Sequence, residues 1–140
     1  MTTNFFLLEL AKRLKIKNFR GVFMRDELSN MTPHKQESGI LNFDPSDKGG
    51  SHWVAYYICD KREKRLYYFD SYGTAVPIEL RVYLNTDTSE GKIFRSDFMI
   101  QGLSSDICGE LCMAFIYLMD KTDKSYEDII NSFRVRGAMN

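Results

Sequence analysis

Long apolar runs are missing from this sequence of 140 residues. No stretch approaches the roughly 18 consecutive apolar residues that a membrane-spanning helix needs, so no span is expected. Cysteine is scarce: Cys59, Cys108 and Cys112 make an odd number, against a disulfide framework and in favour of a reducing compartment, cytosol or nucleus. Net charge is absent as well. Nineteen Lys and Arg balance nineteen Asp and Glu, which argues against strong non-specific attraction to nucleic acid or an anionic membrane. Histidine is limited to His34 and His52, and tryptophan to Trp53. The opening Met1-Thr2-Thr3-Asn4-Phe5 has neither the basic start nor the cleavage site of a signal peptide, so none is expected. No repeat, low-complexity tract or interdomain linker is visible, and residues 1–140 read as a single domain.

What is present suffices for a packed core: 44% of the residues are hydrophobic and 14% aromatic. The basic clusters Lys12–Lys17 and Lys61–Arg65 read as a solvated helix end and a hairpin turn. Apolar residues at helical spacing predict an amphipathic helix over 4–15, with Asn4 as its cap. Phe19–Leu28 is strand or loop, broken by Gly21 and Asp26. Ser38–Phe43 reads as a short strand, and Asp44–Gly50 as a turn-rich loop. His52–Ile58 and Arg65–Ser71 read as a β-hairpin buried on both faces. Pro77 opens a short helix to Leu84, and Lys92–Gln101 reads as a further strand. Cys108–Lys121 carries a wide apolar stripe and is expected to be a buried, central helix. Ser125 caps a last helix over 126–135.

Chemistry concentrates in two places. Gln101 and Cys108 stand seven residues apart just before the buried helix, and Ser51-His52-Trp53 lies upstream with Asp70 after it. A thiol at a helix N-terminus sits where negative charge is favoured, which favours thiolate. His52 can act as base and Asp70 can orient it. Gln101 can point its amide at a developing oxyanion beside the backbone N–H of Cys108. Such a set performs thiol-dependent acyl transfer, most simply peptide-bond cleavage. If the hairpin pairs symmetrically about position 61, His52 falls directly opposite Asp70, with Cβ atoms about 4.5–5.5 Å apart. Each residue also has a plainer role open to it. Cys108 could be a buried structural thiol, as Cys112 and Cys59 are expected to be. Asp70 could cap a turn, Gln101 could be a strand-end amide, and Trp53 could be core or an aromatic wall beside the nucleophile. His34, next to Pro33, is the weaker base.

Taken together, Gly49-Gly50-Ser51-His52-Trp53, Tyr68-Phe69-Asp70-Ser71-Tyr72-Gly73, and Gln101 followed by Cys108-Gly109 resemble the adenovirus proteinase (adenain) family in order and spacing. Phe19-Arg20-Gly21 with Asp26, Pro33-His34-Lys35 and Ile40-Leu41-Asn42 extend the resemblance over about residues 19–120, toward the Polinton and virophage enzymes. Proteases of SUMO and similar modifiers share the order. In many of those, however, an Asp directly precedes Cys-Gly, where this chain has Ile107. The resemblance implies an α+β fold of papain-like, adenain type, with a small mixed sheet packed on a central helix that begins at the nucleophile. It implies a cysteine endopeptidase that matures viral capsid and core precursors at Gly-rich, small-residue sites. Cys108 would be the nucleophile, His52 the base, Asp70 the orienting acid and Gln101 the oxyanion donor, with Gly50, Ser51 and Trp53 lining the substrate cleft. Neither metal nor cofactor is expected. Because Ser89–Ile100 holds no cysteine, a disulfide-linked peptide activator is not expected, and the neutral charge argues against DNA binding. The implied setting is a monomer in host cytoplasm or nucleus and in the virion. The alternatives are a protease for ubiquitin-like modifiers, or a silent module that binds Gly-rich tails.

Overall fold

The computed structural model describes residues 3–44, 52–60, 63–85, 93–96, 100 and 107–139, with side chains described up to Phe133. The elements follow the order α1 (Asn4–Arg13), β1 (Phe19–Met24), a 3-10 helix (Arg25–Asn30), β2 (Glu37–Asn42), β3 (Trp53–Cys59), β4 (Arg65–Phe69), α2 (Ile78–Tyr83), β5 (Ile93–Phe94), α3 (Cys108–Lys121) and α4 (Tyr126–Met139). Among the described residues five strands form one sheet, whose spatial order equals their sequence order. β1 and β2 pair parallel, β2 with β3 and β3 with β4 pair antiparallel, and β4 and β5 pair parallel. This is the mixed sheet and α+β class expected from the sequence.

β3 shows why the hairpin reads as apolar on both faces. Side chains alternate across a strand. Trp53, Ala55 and Tyr57 enter a core built with Cys112, Phe115 and Ile116 of α3. Val54, Tyr56 and Ile58 enter a second core with Leu80 and Tyr83 of α2 and Leu28 of the 3-10 helix. Helices thus cover both faces of the central strand. In α3 the buried stripe is Cys108, Gly109, Cys112, Met113, Phe115 and Ile116, while Leu111, Leu118 and Met119 are only partly buried. Phe69 of β4 stacks on Phe115, with ring centroids 5.3 Å apart and planes 13° from parallel. That contact fixes the sheet against the helix.

Several expectations need correction. Thr3, not Asn4, caps α1: its backbone is extended and its Oγ1 accepts the Phe6 N–H at 3.1 Å. The segment from Phe19 divides into a strand and a 3-10 helix. Its ladder is irregular between Phe19 and Gly21, where Gly21 adopts φ +148°. The strand expected over 92–101 stops at Phe94 among the described residues. Ile100 has left the sheet, and its N–H donates to the carbonyl of Ser71 at 2.9 Å. The final helix runs to Met139, past the expected end at 135. Its start is as expected, with Ser125 Oγ accepting the Asp128 N–H at 3.1 Å.

Glu37 was not anticipated at all. This carboxylate is buried at the start of β2. Its Oε1 accepts from His34 N–H at 2.7 Å and from Arg20 Nη1 at 3.3 Å. Its Oε2 accepts from the hydroxyls of Tyr56 at 2.6 Å and Tyr83 at 2.8 Å. A buried charge is tolerated when its lone pairs are met this completely. The network ties β1, β2, β3 and α2 together on the side of the sheet away from α3.

Candidate active site

The site lies where β3 begins, β4 ends and α3 begins. Asp70 follows the last residue of β4 and heads a tight turn. Its carbonyl accepts the Gly73 N–H at 2.9 Å, and Gly73 takes φ +69°, a left-handed conformation that glycine adopts at little cost. The carboxylate is buried and heavily engaged. Oδ1 accepts the Tyr72 N–H at 2.9 Å and Oδ2 accepts the Thr74 N–H at 3.1 Å, with the Thr74 hydroxyl donating to Oδ2 as well. Burial raises its pKa, but the hydrogen bonds from His52, Thr74 and Tyr72 outweigh burial and hold it below the ordinary 3.8.

His52 Nε2 meets Asp70 Oδ1 at 2.6 Å. The pair forms, but not by the pairing expected. Tyr57 is registered with Tyr67 and Ala55 with Phe69, so the ladder continued outward sets position 52 against 72, not 70. The offset from the expected register is two residues. Two residues is one full side-chain period, so His52 and Asp70 still share a face, now as diagonal neighbours. Burial pulls the imidazole pKa down. Hydrogen bonding and charge from Asp70 and Cys108 more than reverse that, and it is raised from 6.5 to about 9. With Nε2 committed to Asp70, we assign Nδ1 as the ring nitrogen available to Cys108; it is buried and, Cys108 apart, has no hydrogen-bond partner among the described residues.

Cys108 is the first residue of α3 and is 2% exposed. Its Sγ accepts the backbone N–H of Trp53 at 3.3 Å. Ile107 in the N-cap position makes no side-chain cap hydrogen bond, and the first-turn N–H groups point, as in any α-helix, toward the end that carries the sulfur. The ring of Trp53 packs in the same core cluster as Cys108. Cys112, one turn further on, is fully buried, and burial pushes its thiol well above the ordinary range. Cys59 is half-buried at the end of β3. His34 is exposed on the connection before β2 and gives its N–H to Glu37.

The structure therefore brings His52, Asp70 and Cys108 together. Gln101, Gly50 and Ser51 lie outside the described residues. Among the described residues no cluster of His, Cys, Asp or Glu could hold a metal ion, and no helix is long and apolar enough to cross a membrane. Sequence reasoning missed two aromatic neighbours. Tyr72 stacks on the His52 ring, with centroids 4.1 Å apart and planes within 4°. Phe43 lies 6.0 Å from it at 52°, and its N–H donates to the His52 carbonyl at 2.7 Å. Arg25 fastens Phe43 by donating to its carbonyl at 2.9 Å while pairing with Glu79 at 2.8 Å. Only the observed register, which sets 72 against 52, points to Tyr72; nothing in the sequence marked Phe43.

Residues 19–89 match the sequence profile of the adenovirus endoprotease, a stretch that includes His52 and Asp70. A comparison with curated proteins gives no match. Among solved structures, the ASFV pS273R protease superposes with a TM-score of 0.65 at 19% identity, covering 96% of this chain and 65% of that one. The selenomethionine form of the same protease gives 0.53 at 20% identity, covering 75% of this chain and 44% of that one. The chain thus spans 65% of the length of the protease whose fold it shares.

Proposed function

The chain belongs to the adenovirus endoprotease family, and from that membership and the site geometry we propose that it is a cysteine endopeptidase that matures viral capsid and core precursors. The observation that carries this reading is the buried 2.6 Å contact between His52 and Asp70, beside a cysteine that opens a helix and is held by the Trp53 N–H.

The chemistry follows from these contacts. Cys108 passes its proton to His52 Nδ1, and Asp70 accepts from Nε2–H and balances the imidazolium. Sγ attacks the scissile carbonyl, and the oxygen takes up negative charge. The first-turn N–H of α3 at Cys108 receives that charge, joined, by the family resemblance, by the amide of Gln101. Imidazolium donates its proton to the leaving amine, the C–N bond breaks and a thioester remains. Water, deprotonated by His52, then releases the acid and regenerates the thiol. Substrate sites rich in Gly and small residues, a host-cell and virion setting, and independence from a disulfide-linked activator belong to the same proposal.

The test is cleavage of Gly-rich capsid-precursor peptides beside SUMO and ubiquitin reporters. Cys108→Ala should reduce turnover to background. Asp70→Asn should lower kcat/KM by about 10²–10⁴-fold, the usual contribution of positioned acid–base catalysis. Undiminished turnover by Cys108→Ala would overturn the mechanism, and preference for the modifier reporters would replace the substrate class.

A further inference from the structure

Asp70 and Cys108 account for the edges of the His52 imidazole but not for its faces. One face is covered by Tyr72 in a nearly parallel stack, with centroids 4.1 Å apart. Phe43 is too distant and too inclined to do the same. Tyr72 also reaches the other half of the pair, since its backbone N–H donates to Asp70 Oδ1, the oxygen that meets His52 Nε2. A single residue thus touches both the base and the acid. Its place is well determined: the β3–β4 register continued outward sets 72 against 52, and the turn closed by Gly73 holds the backbone.

We propose that Tyr72 is a positioning residue that fixes the plane of the His52 imidazole for proton exchange with Cys108; this rests on the peptidase reading above. A stacked ring stops rotation about the bond to the imidazole, so Nε2 stays on Asp70 while Nδ1 stays toward the sulfur. The π face of Tyr72 is electron-rich and is attracted to the ring when it is positively charged. The titratable groups that face the imidazole among the described residues are Asp70, Cys108 and the Tyr72 phenol itself. The first two already favour the cation, and the stack adds to them without adding charge.

The experiment reads His52 directly by NMR titration of its ring nuclei, in the full chain and without substrate. Tyr72→Leu should move the His52 midpoint downward by a few tenths to about one pH unit. Tyr72→Phe should restore it. In the peptidase assay Tyr72→Leu should lower kcat about five- to fiftyfold with KM little changed, and its alkaline limb should shift down with the NMR midpoint. Stepwise fluorination of phenylalanine at position 72 keeps the shape while draining the π face. It should lower the midpoint in order of fluorine count, and it serves if the leucine variant does not fold. An unmoved midpoint in the leucine variant, or a flat fluorine series, overturns the proposal. Failure of the peptidase reading would appear elsewhere, as wild-type cleavage that survives Cys108→Ala.

Discussion

The backbone N–H of Trp53 donates to Sγ of Cys108 at 3.3 Å, joining the first residue of β3 to the first residue of α3 across 55 positions of sequence. The sulfur is thereby held by the strand that directly follows His52. The backbone supplies this contact, so it survives any exchange of the tryptophan ring that leaves the strand in place.

Reactivity should discriminate sharply among the three cysteines. Cys112 is fully buried with its thiol pushed up, while Cys108 lies beside His52, whose pKa is raised to about 9. Limited iodoacetamide at neutral pH, followed by peptide mass mapping, should label Cys108 first and leave Cys112 unmodified until the protein is unfolded. Labelling of Cys112 ahead of Cys108 in the folded protein would contradict this arrangement.

Stability should depend on pH in two opposite senses. The folded state raises the His52 pKa from 6.5 to about 9, so it binds that proton more tightly than the unfolded chain does. The resulting stabilisation is complete below 6.5 and disappears as pH rises through about 9. Asp70 behaves oppositely. Its pKa is lowered, so its contribution is present above 3.8 and is lost as pH falls below that value. Urea denaturation across pH should give a plateau between roughly 4 and 6.5, with a decline on each side. In His52→Gln the alkaline decline should flatten. A midpoint that climbs from pH 7 to pH 9 would refute this account.

The second core has its own weak point at Gly39. A Cβ there would lie 2.6 Å from both Cε1 and the hydroxyl of Tyr56, whose oxygen is already committed to Glu37. Gly39→Ala should therefore displace a ring that anchors a buried carboxylate, costing about 1–3 kcal/mol as an overpacked core does. The check is a lower urea midpoint with an unchanged slope. A midpoint equal to wild type would show that the ring yields freely.

The features that could be read in advance were those with strong periodicity or local chemistry. α3 was legible to its limits because its apolar stripe starts at Cys108 and gives way to Asp120 and Lys121, where the helix ends. The His52–Asp70 pair was foreseen through a register that proved two residues off. It survived because only an odd slip would have put the two on opposite faces. The cap of α1 was misplaced by one residue because Thr3 and Asn4 are both good caps, and only backbone geometry decides between them. Glu37 escaped because its partners Arg20, Tyr56 and Tyr83 lie 17, 19 and 46 positions away, and no local pattern announces such a meeting. Ile100 was read into a strand on its hydrophobicity, whereas its N–H belongs to Ser71 in the turn after Asp70.

The strand order of the sheet has a temporal consequence. Because spatial order equals sequence order, each strand has its earlier neighbour waiting as it emerges from the ribosome. His52 and Asp70 are laid down with that growing sheet, and Cys108 follows on a helix made after β5. A nascent chain stalled before position 108 carries His52 and Asp70 but not the cysteine that opens α3.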